Sequence, residues 1–156
     1  MDGTERPIRR PTGKEQQQPY DSGKNKGHRV KNIVVTDERP RVLVLSDTFP
    51  GHPHDQTGAN EQGIFAPIPN DVRVHVDLGF LGVPKERPEG TFSVPDKTPK
   101  GRALSDDAKA RNGEQARRRV LVEHAIGGVK RFRAVADVRR NSLTRCADRL
   151  MLVACG

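Results

Sequence analysis

Tryptophan is absent from this sequence, tyrosine occurs once, and the five phenylalanines are the only other aromatic residues. With apolar residues at 33% and a mean hydropathy of -0.76, the chain has less apolar surface than an average domain to offset the entropy of ordering. A compact centre with loose ends or loops is expected. No apolar run approaches the roughly 18 residues of a membrane helix, and the N-terminus has no signal-peptide core. The expectation is a soluble, cytoplasmic protein. Cysteine is scarce too: Cys146 and Cys155 have no CxxC partner and no His at zinc spacing, so they read as buried thiols in a reducing compartment.

Positive charge, by contrast, is abundant. Lys and Arg number 28 against 20 Asp and Glu, for a net +8 and a pI near 10.0. A polyanion is the natural partner, because each neutralised phosphate releases counterions. Basic ribosomal proteins share this balance, so charge alone leaves the partner open. A length of 156 residues suits one domain.

Along the chain, residues 1–27 are polar and rich in Gly, Pro, Gln and Lys, and read as a loop or loose hairpin. The stretch 28–99 is the sheet region. His28–Thr36 and Arg41–Ser46 are β-branched strands separated by DERP and should pair as an antiparallel hairpin. A loop to about Pro53 leads into a short helix starting near Asp55. Val72–Val76 is a third strand that ends at Asp77, after which Gly79 and Gly82 make a tight turn. Thr91–Pro99 is extended, its prolines confining it to an edge or loop. Residues 104–156 are helical. One helix runs from Ser105 to about Arg131, opened by Ser105, Asp106 and Asp107. Gly127-Gly128 costs it about 1 kcal/mol per Gly, or bends it. Leu143–Ala154 forms a last amphipathic helix. Strands first and helices last give an α/β or α+β mixed sheet faced by helices, with functional groups gathered at the carboxyl ends of strands.

Chemistry concentrates in ARRRVLVEHAIGGVKRF. Arg119 and Glu123 are four apart, and Glu123 and Lys130 seven, so all three share one helical face. A solvated face with an ion pair is the plain reading. Yet Val120, Leu121, Val122, Ala125 and Ile126 surround Glu123, a setting unusual for a carboxylate on a wet surface.

The spacing Arg119-x3-Glu123-x6-Lys130 resembles the signature around the last acidic residue of IS4/IS5-type insertion-sequence transposases, of the DDE superfamily. The family places a Tyr three residues before the Arg, where this chain has Ala116. Further stretches follow the family order. Asp2-Gly3-Thr4-Glu5 resembles its first acidic motif, YDSGKNKGHRVKN the segment after it, Pro50-Gly51 with His54-Asp55 its PG…HD element, and Val76-Asp77-Leu78-Gly79-Phe80-Leu81-Gly82 its second acidic motif. Val122–Ile126 with Val129–Phe132 complete the third.

The resemblance implies an RNase H-like fold that brings Asp2, Asp77 and Glu123 together as a catalytic, metal-binding triad. It also implies two Mg²⁺ (or Mn²⁺) ions about 3.5–4 Å apart that activate the attacking oxygen and stabilise the leaving one. Asp77 is then the shared ligand. Lys130, Arg131 and Arg119 are implied phosphate contacts, with Arg119 alternatively orienting Glu123. The partner is DNA, both transposon ends and target, with a homo-oligomer assembled on it.

Other residues have two readings each. Asp55 either supports the site or caps a helix, and His52 and His54 are loop residues or ligands. Lys24, Lys26, His28, Arg29 and Lys31 are a DNA-backbone patch or solvated charge. Arg117, Arg118, Arg131, Arg133, Arg139 and Arg140 extend the positive face.

Only Met1 precedes Asp2, so the first strand is expected to be missing or a stub. The upstream helix-turn-helix of the family has no counterpart, and the sequence ends just after an apolar helix. These features are expected of a truncated frame. The function expected is metal-dependent DNA strand cleavage and transfer. The alternatives are an inactive remnant with non-specific DNA binding and an unrelated basic nucleic-acid-binding protein.

Overall fold

The structure, a computed structural model, describes residues 1–23, 26–138 and 144–156. The chain is α+β, with antiparallel and parallel strand pairs and six α-helices among the described residues. Its spine is β3 (Gly27–Thr36), HRVKNIVVT preceded by a glycine, buried from Val30 to Val35. Its second half, residues 33–36, is an unbroken β-branched run, as burial on both faces allows.

Along one edge of β3 lies β1 (Asp2–Pro7), antiparallel and in register from Asp2 opposite Val34 to Pro7 opposite Arg29. Residues 1–27 therefore do not begin as a loop, and the first strand is not a stub: it runs six residues from Asp2 onward. The other edge takes β4 (Val42–Leu45), making the expected hairpin, then β5 (Phe49–Pro50) and the two-residue β2 (Asp21–Ser22). Between β1 and β2 only a single helical turn, α1 (Lys14–Gln17), and a 3₁₀ turn interrupt the loop.

Two further strands, β6 (Arg73–His75) and β7 (Thr91–Ser93), pair in parallel. One rung joins them to the main sheet: the Met1 amine donates to the His75 carbonyl at 2.9 Å. That rung puts the start of β1 beside the end of β6.

Helices cover both faces. Ile33 and Val35 point into a core with Met1, Phe49, Ala59, Phe65, Val74, Val76, Phe80 and Val83. This side carries α2 (Asp55–Glu61) and α3 (Val83–Glu86). The opposite face is crossed by α4 (Asp106–Val129), which packs on β3, β1 and β6. With it lie α5 (Arg133–Ala136) and α6 (Thr144–Cys155), around Val129, Val135 and Met151. The start of α4 is capped by Ser105, whose hydroxyl accepts from the Ala108 amide at 3.3 Å, a saving of about 1 kcal/mol. The helix passes through Gly127-Gly128 without ending there. Cys146 and Cys155 are half-buried free thiols rather than core residues. Among the described residues no helix is long and apolar enough to cross a membrane.

Candidate active site

Asp2 opens β1, and its Oδ1 accepts from the Gly3 amide at 2.8 Å. Asp77 follows β6 by two residues and caps the 3₁₀ turn Leu78–Phe80, accepting from the Leu78 amide at 2.7 Å. The buried side chains on either side, Val76 and Phe80, are both 0% exposed and hold that turn against the core. Glu123 lies on α4, one position past the buried Val122. Three elements distant in sequence thus bring three carboxylates to one end of the sheet.

Arg119 joins them. Its guanidinium stands 3.1 Å from Asp77 (Nη1 to Oδ1), 3.4 Å from Asp2 (Nη2 to Oδ2) and 3.9 Å from Glu123 (Nη2 to Oε1). All three contacts exceed the 2.7–2.9 Å of a strong charge-assisted pair, and they splay over two nitrogens without forming a fork. The Nε of Arg119 is buried and has no hydrogen-bond partner among the described residues. The guanidinium is therefore caged by acids but not tightly bonded to any.

Burial at this point is uneven. Arg119 and Asp2 side chains are 18% and 19% exposed, but Glu123 is 56% exposed. The apolar neighbours in sequence do not shield Glu123, because the buried stripe of α4 is narrow and Val120 itself is exposed. The Asp2 carboxyl is pushed above its ordinary value, chiefly by burial, with the nearby Asp77 charge adding to it; Arg119 and the Gly3 amide pull the other way. Burial also lowers the Met1 amine to about 6, partly offset by Asp2.

Behind the acids, Asp55 fills a slot that the sequence hides. It does not cap α2; His54 occupies the cap position, exposed and without a side-chain cap bond. The Asp55 carboxylate instead pairs with Lys31 Nζ at 2.9 Å. A Cβ built on Gly3 would lie 2.8 Å from Asp55 Oδ2, and one on Gly79 would lie 3.7 Å from the same oxygen. Both glycine-bearing acidic motifs therefore close on Asp55. Gly82 likewise leaves room for Gln56, whose Oε1 accepts from the Gly82 amide at 2.9 Å. Closeness of approach explains Gly82, whereas a Cβ on Gly79 would meet Asp55 only at an ordinary van der Waals distance.

The basic residues divide. Lys31 is buried and pairs with Asp55, and its ammonium also donates to the Pro53 carbonyl at 2.9 Å. His28 pairs with Asp21 at 2.7 Å, and Arg29 lies 3.7 Å from Glu5. These three brace the β1–β3 region and are not a free patch. Lys26, Arg117, Arg118 and Arg131 are exposed, as is Arg133, although Arg118 and Arg133 pair along their helices with Glu114 and Asp137. Lys24, Arg139 and Arg140 lie outside the described residues. Lys130 lines a small cleft with Thr4, Ile126 and Val129 and is exposed overall. Partial burial, then the Arg29 charge, lower its pKa, and Glu5 and Asp2 oppose this. Beside Arg119 opens a groove of about 1130 Å³, lined by Met1, Val35, Val74, His75, Arg118 and Val122 among others.

Hard carboxylate oxygens are what Mg²⁺ takes, so the donor chemistry suits a divalent ion. The arrangement does not: the oxygens converge on Arg119, and among the described residues no group of three His, Cys, Asp or Glu is placed to hold a metal ion.

The α+β chain thus draws acids from a first strand, the end of a later strand and a long helix. The family pattern agrees: this chain belongs to the DDE superfamily endonucleases, whose pattern matches residues 1–156. No curated protein and no solved structure gives a significant match.

Proposed function

We propose that the chain is a single catalytic domain over residues 1–156 that cleaves and transfers DNA strands, as an IS4/IS5-type insertion-sequence transposase. The observation that carries this reading is the convergence of Asp2, Asp77 and Glu123 on one guanidinium from positions 121 residues apart at the extremes. Nothing in stability demands it, since gathering three carboxylates costs repulsion and desolvation. The sheet built on β1 and β3 and the parallel pair β6–β7, joined by the hydrogen bond from Met1 to His75, support an RNase H-like arrangement, in which such acids sit at strand ends. Mg²⁺ or Mn²⁺ dependence belongs to the reading, and so does assembly on DNA with further copies.

In the proposed roles, Lys130 and Arg119 take phosphates at the cut, with Arg131 and Lys26 contacting backbone further out. Lys130 suits the part because it is exposed and stands beside Thr4, within the acidic motif that Asp2 opens. Asp55 is a positioning residue packed tightly against Gly3, and with it the backbone that follows Asp2.

A second reading, a DNA-binding chain without cleavage, is favoured by one observation: Arg119 fills the centre of the acids. Plasmid nicking in Mg²⁺ or Mn²⁺ separates the two. The expected result is nicking by the chain that falls at least 100-fold in Asp77→Ala and in Glu123→Gln, with DNA retention unchanged. Equal background in all three would overturn the cleavage reading, and salt-sensitive retention without nicking would establish the second.

A further inference from the structure

Directly after Asp77 the chain carries two leucines that the fold does not bury, Leu78 at 46% and Leu81 at 39% exposure. We infer that Leu78, Leu81 and Lys85 form a contact stripe for an unpaired stretch of DNA strand beside the acids, the leucines meeting base faces and Lys85 a phosphate. The inference rests on the proposed action on DNA and deepens it, naming a locally opened strand as the form of substrate preferred.

The backbone puts the three side chains on one face. Leu78–Phe80 is a 3₁₀ turn, Leu81 and Gly82 keep helical angles, and Val83–Glu86 is α3. Positions 78, 81 and 85 therefore recur at helical spacing. The other side of the same segment is anchored without them. Phe80 and Val83 are fully buried, the Gly82 amide donates to Gln56, and the Glu86 carboxylate accepts from Gln56 and Asn60 at 2.6 Å each. Folding does not call for leucine at 78 or 81, and in a chain only 33% apolar such residues are few. Neighbouring exposed apolar side chains mark a binding surface where scattered single ones do not.

Charge says what covers them. Arg119 stands 3.1 Å from Asp77 at one end of the stripe. At the other end Lys85 is exposed and has no ion pair among the described residues. Seven residues of helix span about 10 Å, the rise of roughly three stacked nucleotides. Cations flanking an apolar pair fit a nucleic-acid strand, with phosphates at the ends and bases between. A closed duplex offers no such match, because its base faces are stacked on one another and only edges and phosphates reach its surface. Unstacked bases expose apolar faces, and leucine is among the side chains that proteins press against them.

The experiment compares retention, without divalent ions and at fixed ionic strength, of a fully paired duplex and of a fork of the same length and charge with a few unpaired nucleotides at one end. The unaltered chain is expected to hold the fork about tenfold more tightly, the size of one base contact. Leu78→Ala combined with Leu81→Ala should bring the fork down to the level of the duplex, with duplex retention and thermal unfolding unchanged. Leu78→Met combined with Leu81→Met should keep the preference. Lys85→Ala should weaken retention of the fork and lower its salt slope by about one. Equal retention of fork and duplex by the unaltered chain would overturn the inference while leaving DNA cleavage standing, and that comparison needs no variant to fold. A preference that survives the alanine pair would overturn it too. So would an alanine pair that alters only the oligomeric state, since the leucines would then meet protein. No retention of either DNA by the unaltered chain at low salt would overturn the inference together with the reading beneath it.

Discussion

Asp55 and Gly3 show how much of the site depends on single atoms. With a Cβ on Gly3 only 2.8 Å from Asp55 Oδ2, Gly3→Ala must push that carboxylate off Lys31 or shift β1, at a cost of about 1–3 kcal/mol. Asp55→Ala breaks a pair whose side chains are 11% and 25% exposed, and is expected to cost about 2 kcal/mol, since Lys31 keeps only its longer 3.7 Å contact with Glu5 as counter-charge. In the double variant the new methyl occupies space that the carboxylate vacated, so urea denaturation should show the pair costing little more than Asp55→Ala alone. Simple additivity of the two costs would show that Gly3 is not held by Asp55. The sequence exposed Asp77 and Glu123 through spacing and motif, and offered Asp55 only as one of two possibilities. It hid the bracing residues, because their roles depend on strand register. Arg6 reaches Asn32 at 2.6 Å and Thr48 at 2.9 Å, the Thr48 amide donates to Asp148 at 2.7 Å, and Asn32 is 0% exposed. No local pattern marks an arginine as buried; only the pairing of β1 with β3 puts it there.

Elements differ in how far their own residues decide them. The strands β3 and β4 and the helix α4 lie close to where their β-branched runs and the Ser105 start signal put them. In α4 the residues Ala108, Gln115, Val122 and Val129 are buried at every seventh position, with Ala125 beside them. The result is a seam too narrow to shelter Glu123, a neighbour that the sequence pattern made look enclosed. By contrast β1 reads DGTERP, with no apolar alternation and a proline at its end. It is a strand because β3 pairs with it over six positions, a tertiary override of weak β-propensity. Glycine shows the same contrast between local and tertiary control. Gly127 and Gly128 have nothing within 4 Å of a built Cβ, so alanine at either position should raise stability by about 1 kcal/mol through helix propensity and a less flexible unfolded chain. Gly58, inside α2, would place a Cβ 2.4 Å from the Phe49 ring, and alanine there should cost about 1–3 kcal/mol despite the same propensity gain. Thermal unfolding of Gly127→Ala and Gly58→Ala should therefore move in opposite directions; a common direction would mean that propensity or packing alone governs both helices.

Across the whole molecule, a net charge of +8 states only that a polyanion is welcome, and the structure shows where the charge is free to act. His28, Arg29 and Lys31 are engaged with Asp21, Glu5 and Asp55, so the exposed cations named above that can act are Lys26, Arg117 and Arg118 on α4, and Lys130 and Arg131 just past its end, with Arg118 also paired to Glu114. Four or five phosphate contacts from such a face predict a slope of log affinity on log salt near -4, and a loss of about 10²- to 10³-fold between 50 and 200 mM salt. Filter retention of duplex DNA over that range checks the slope, and a value near zero would remove the face as a DNA surface. Lys130→Ala should flatten the slope by about one and weaken binding similarly for unrelated sequences. The pH dependence follows from its environment. Partial burial lowers the Lys130 pKa from the ordinary 10.5, so the ammonium loses its proton, and its phosphate contact, at a lower pH than an exposed lysine would. Raising pH into the alkaline range should thus weaken DNA retention by the unaltered chain before the other lysines titrate, and this early loss should be missing from Lys130→Ala. If both proteins lose affinity in parallel, Lys130 does not touch the phosphate.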